Sequence, residues 1–109
     1  MRINVSSRAF RALKKSVEHW ERLVAANTVD EFMDEGICAS KCALCKLYFH
    51  NDCKNCPVYQ ITGGYRCKYT PYEAVYYELI RRDILELKLK ATRMLNCLKR
   101  IQSQCKIKR

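Results

Sequence analysis

The sequence predicts a mainly α fold, in which two amphipathic helices flank a loop-rich cysteine module of the zinc-knuckle kind and the C-terminal helix is long. Three observations lead there. Residues 7–27 and 70–106 repeat apolar side chains at spacings of three and four, the period of a helix that buries one face. Residues 37–69 hold six of the eight cysteines and show no sustained period of either kind. Only three Gly and two Pro interrupt a chain that is 49% hydrophobic, which argues against disorder. The 109 residues make one domain, 1–109, of a size that often needs a metal or disulfide staple.

Taken in order, residues 1–6 read as a short loose start. In residues 7–27 Phe10, Leu13, Val17, Trp20 and Val24 form one apolar stripe, and Ser6 or Ser7 suits the N-cap. Arg8, Arg11, Lys15, Glu18, His19 and Arg22 fall on the other side, so His19 is expected at the surface. Residues 28–36 predict a short helix or turn, with Thr28 and Glu31 at capping-box spacing and Gly36 as the stop. Residues 70–106 predict one uninterrupted helix. Thr70 is its expected N-cap, Pro71 its first residue and Glu73 the partner in a capping box. Tyr76, Ile80, Ile84, Leu87, Ala91, Met94, Leu98, Ile101 and Cys105 then step as a heptad-like seam. At 1.5 Å per residue that helix is roughly 50 Å long and the first roughly 30 Å. One short helix cannot cover the whole seam, so a homo-oligomer through the C-terminal helix is expected. Leu85 and Leu89, on the opposite face, point the same way.

The cysteine module decides the chemistry. Cys42-x-x-Cys45 and Cys53-x-x-Cys56 are two tight bends, each able to turn two sulfurs toward one metal. Cys67, just before the last helix, is a fifth candidate ligand and ties the module to that helix. Cys38 and His50 are further candidates. A zinc ion with four thiolates is the expectation, and its role is structural, because the module has too little apolar content to hold itself. The alternative cofactor is an iron–sulfur cluster, since Cys56-Pro57 matches the Cys-Pro ending of some cluster motifs. A thioredoxin-like site lacks its βαβ context. Asp52 is the one acid inside the module, which argues against a catalytic metal and against an enzyme. No secretory signal and no apolar run near 18 residues is visible, so the chain reads as cytoplasmic, without a membrane span.

Net charge is +10, and residues 87–109 carry eight Lys/Arg and no acid. On a continuous helix Arg81, Lys88, Lys99 and Lys106 project at nearly one angle, and Arg82, Arg93 and Arg100 form a second stripe about 100° away. Such a surface suits a phosphate backbone. Nucleic acid is the expected partner and an acidic protein surface the alternative. Of the seven Tyr, most are expected to pack around the metal, with Tyr65 and Tyr69 exposed.

The succession HW (19–20), CALC (42–45), CKNCPV (53–58), TGG (62–64), Cys67 and TPY (70–72) resembles small proteins encoded by tailed phages and prophages. The resemblance spans about residues 17–73 and omits the far C-terminal helix. The family pattern has five cysteines, matching Cys42, Cys45, Cys53, Cys56 and Cys67, with Cys38 outside it. It implies a metal-binding phage accessory protein in the interior of the host cell, and no particular activity. In that setting the acidic partner would be a host protein, bound by an inhibitor or adaptor. An iron–sulfur redox protein is the third functional reading.

Overall fold

The structure, a computed structural model, describes residues 2–38, 41–48, 53, 55–64 and 67–107. It is mainly helical. The elements are β1 (Ile3–Val5), α1 (Ser7–Ala25), α2 (Val29–Glu35), α3 (Ala43–Tyr48), α4 (Pro57–Thr62), α5 (Tyr72–Arg81), α6 (Ile84–Gln104) and β2 (Cys105–Ile107). The frame is an antiparallel pair of α1 and α6. Its open end is closed by β1 and β2, which pair in parallel with Ile3 opposite Cys105 and Val5 opposite Ile107. The start that reads as loose in sequence is therefore a strand, and Cys105 opens a strand instead of ending a helix.

α1 starts where its cap says it should. The Ser6 side-chain oxygen accepts the Ala9 amide at 3.0 Å, satisfying one orphan donor of the first turn. Leu13, Val17 and Trp20 of the expected stripe are buried, and so are Ala9, Ala12, Ser16, His19 and Leu23. The buried arc is wider than one stripe because α2 and α3 cover the flank of α1 while α6 covers its centre. His19, expected at the surface, is 3% exposed, and its Nδ1 lies 2.8 Å from Glu35 Oε1 at the end of α2. Arg22 Nε donates to the same oxygen at 2.8 Å. Burial raises the Glu35 pKa, but these two partners outweigh it and hold the carboxyl below its ordinary value.

α2 follows the capping signal. Thr28 Oγ1 accepts the Glu31 amide, and Glu31 Oε2 reaches back to the Asn27 amide. Gly36 ends the helix at φ 75°, a left-handed value that glycine adopts without a Cβ clash. Phe32 is fully buried beneath it.

The expected 37-residue helix is two helices. Arg82 adopts a left-handed conformation (φ 54°), and Asp83 recaps the chain by accepting the amides of Leu85 and Glu86. α5 folds back against α6. Its first residue is Tyr72, because the Pro71 carbonyl takes the first helical bond, from Val75. Thr70 is not the N-cap. Its hydroxyl accepts the Tyr72 amide and donates to the Cys67 carbonyl, and no bond to Glu73 completes a capping box. Past the break the seam behaves as expected: Leu87, Ala91, Met94, Leu98 and Ile101 are buried, joined by Leu95. Before it, Tyr76 and Ile80 are exposed, and α5 buries Val75 and Glu78 instead. α1 and α6, at 19 and 21 residues, are roughly 28 and 32 Å long. The mismatch that predicted an oligomer is gone, though Leu85 and Leu89 do stand exposed. Among the described residues no helix is long and apolar enough to cross a membrane.

Candidate metal centre and basic surfaces

In the cysteine module α3 packs on α1, and α4 packs on α6 and β1. Cys42 precedes α3, and its carbonyl accepts the Lys46 amide. Its sulfur takes hydrogen bonds from the amides of Leu44 and Cys45. Cys45 follows in the first turn of α3. The chain then returns so that the Cys53 amide donates to the Tyr48 carbonyl at 3.0 Å. Cys53 holds φ 63°, and the Cys56 amide closes onto the Cys53 carbonyl at 3.0 Å. Cys56 is the N-cap of α4, with Pro57 at the first position, and its sulfur accepts amide bonds from Val58 and Tyr59. α4 stops at Gly63, and Cys67 turns the chain at φ 61° into Thr70.

Cys42, Cys45, Cys53, Cys56 and Cys67 all line one cavity of about 30 Å³, with Trp20, Tyr72 and Met94 among its walls. These are the five cysteines expected as ligands. Two of them, Cys53 and Cys67, sit in left-handed backbone that costs a non-glycine residue about 1–3 kcal/mol, so the fold accepts strain to aim them inward. Tyr72 stacks edge-on against Trp20 and donates its hydroxyl to the Ile37 carbonyl at 2.8 Å, sealing one side. No disulfide joins the cysteines. Among the described residues, no group of three or more His, Cys, Asp or Glu side chains is arranged to hold a metal ion. The thiols thus share a cavity without forming a finished coordination sphere.

Their acid–base balance is that of thiols crowded out of water. The Cys45 thiol donates to the Cys42 sulfur, which pulls Cys42 below the ordinary thiol range against the opposing effect of burial; Ser16 and the two amides help. Cys45 is pushed up by that same hydrogen bond, then by burial and by the nearby Cys42, Cys67 and Cys53. Burial pushes Cys56 up to about 11 and also raises Cys67, with the other thiols adding to both. A bound cation reverses this ordering, since a coordinated thiol is deprotonated outright.

The remaining candidates fall elsewhere. Cys38 is exposed on the far side of Tyr72. Cys97 lies near enough to raise Cys67 but does not line the cavity. His50, Asp52 and Tyr65 lie outside the described residues. Tyr69 is exposed as expected, and so are Tyr76 and Tyr77, which sit on α5 away from the cavity.

The break at Arg82 divides the expected basic stripes. Arg81 lies on α5, 3.7 Å from Glu78 Oε1. Arg82 forms the turn and reaches Asp30 at 3.5 Å. Lys106 is exposed on β2. Lys88, half-buried, and the exposed Arg93, Lys99 and Arg100 remain on α6 outside its buried seam, still as two stripes. Two features escape the sequence reading. Ser16 is fully buried on the apolar face of α1, and its hydroxyl meets Cys42 Sγ and the Leu44 amide at 3.3 Å each. Arg8, Arg11 and Lys15, at i, i+3 and i+7 on α1, meet Lys46 of α3 across a cleft. The first three are legible as a helical row. Lys46 joins them only through the tertiary packing of α3.

No family model, curated protein or solved structure matches this chain.

Proposed function

We propose that the chain is a small non-enzymatic zinc protein that binds nucleic acid through the exposed face of α6. The observation that carries the reading is that face. Lys88, Arg93, Lys99 and Arg100 line it, and after Glu86 no acid follows to neutralise them. A solvated helix surface ordinarily mixes signs, and a face of one sign favours a polyanion whose counterions are released on contact. Zinc supports the surface indirectly, by holding the cysteine module, whose α3 packs on α1 and whose α4 packs on α6. The five thiols that share a cavity favour this metal, because four thiolates complete its tetrahedron with nothing left open for catalysis. Loading requires the sulfurs to draw in from their present places.

The test joins two measurements on protein purified without oxygen. Elemental analysis should find one zinc per chain, and a nucleic-acid titration should weaken steeply with salt, by about 0.9 log unit of affinity per log unit of salt for each phosphate contact on duplex DNA. Lys99→Glu with Arg100→Glu should abolish most of that binding. Iron with sulfide in place of zinc would turn the reading to redox chemistry. Unchanged binding by the double variant would remove α6 from the interface.

A further inference from the structure

The packing that brings α3 to α1 also opens a cleft of about 360 Å³ between them. Arg8, Arg11 and Lys15 form one wall and Lys46 the other, over a floor of Ala12, Ala43 and Leu47. All four cations are exposed, and among the described residues none has an ion-pair partner and no acid lines the cleft. Four like charges in a concavity repel one another and focus a positive potential, an arrangement that an anion relieves.

The spacing selects the kind of anion. From Arg8 to Lys15 the row runs seven residues, about 10.5 Å along the helix axis. That is too long for one phosphate and suits successive phosphates of one strand. The apolar floor offers a surface for the sugar and base faces that come with them. The cleft is also distinct from the α6 face. α6 packs its buried seam on α1, so its Lys/Arg side points away from α1, whereas the cleft opens on the flank of α1 beside α3.

We infer that this cleft is a second phosphate-contacting site, taking the backbone of a nucleic-acid strand at Arg8, Arg11, Lys15 and Lys46. The inference rests on the nucleic-acid reading above and adds a site to it.

The experiment uses the full zinc-loaded chain and a labelled duplex DNA, with affinity measured across a salt series. The cleft variant is Arg11→Gln with Lys15→Gln. The control, Arg2→Gln with Lys14→Gln, removes the same charge from exposed positions outside the cleft. The cleft variant should bind more weakly and lose about 1.8 from the magnitude of the log–log salt slope, two contacts at about 0.9 each. The control should keep the wild-type slope. A cleft variant with the wild-type slope overturns the second site while leaving the α6 reading intact. An equal loss in both variants also overturns it, because bulk charge then accounts for the effect. A wild-type chain that binds no DNA removes the α6 reading and this site together.

Discussion

Ser16 is the residue that ties the cysteine module to the helical frame. A hydroxyl with no solvent exposure, set among Leu13, Val17 and Trp20, is tolerated only when its hydrogen bonds are made. Both partners come from the module: the Leu44 amide and the Cys42 sulfur. Ser16→Ala keeps the helix and nearly the same volume but removes the hydroxyl that joins the Leu44 amide and the Cys42 sulfur to α1, leaving the amide its shared bond to that sulfur. The expected loss is about 0.5–1.5 kcal/mol, the net worth of one buried hydrogen bond, read from urea denaturation of the metal-loaded protein. An unchanged midpoint would mean that the module does not lean on this contact. His19 teaches a related lesson. An angular projection through Phe10 and Val24 sets it off the stripe, but α2 covers that flank and brings Glu35 to its ring. Periodicity finds the centre of a buried face. It does not find the width, which depends on how many neighbours the helix has.

At the scale of elements, the turn at Arg82 and Asp83 has the largest consequence. Apolar spacing runs through it without a flaw, so the seam reads as continuous. A competing signal is present in the same residues: an acidic side chain at Asp83, Glu86 three positions on, then an apolar run. The structure follows the cap, not the period. Burying α5 against α6 removes apolar surface that a single long helix would leave in water. Asp83 accepts two amides at 3.0 and 3.2 Å, so Asp83→Ala should destabilise the fold by about 1 kcal/mol. A thermal melt followed by circular dichroism checks this, and a variant as stable as wild type would assign the break to packing alone. The other elements were more legible. Ser6, Thr28 and Gly36 cap where their chemistry predicts, because those bonds close within four residues. β1 and β2 were not legible at all, since three-residue strands from opposite ends of the chain have no local signature.

At the scale of the molecule, the five ligand candidates were legible because Cys-x-x-Cys encodes its own turn, yet their strained backbone and the Ser16 link belong to the tertiary fold. The chain divides into a part that holds itself and a part that does not. α1 and α6 supply most of the apolar core, whereas α3 and α4 are six residues each, too short to persist as isolated helices, and reach that core chiefly through Leu44 and Val58. On the zinc reading, a metal bound by their cysteines would add to the few core contacts they make. Chelation should therefore act unevenly. Amide hydrogen exchange after metal removal should rise across α3 and α4 while the amides around Leu98 in α6 stay protected. Simultaneous loss throughout would mean that the metal holds the entire fold. Because Lys46 rides on α3, between Cys45 and Leu47, the same chelation should also dismantle one wall of the basic cleft and leave Lys99 and Arg100 in place. The metal-free protein should then keep the α6 contribution to DNA binding and lose that of Lys46, lowering the salt slope by about 0.9. A slope unaffected by chelation would separate the cleft from the metal.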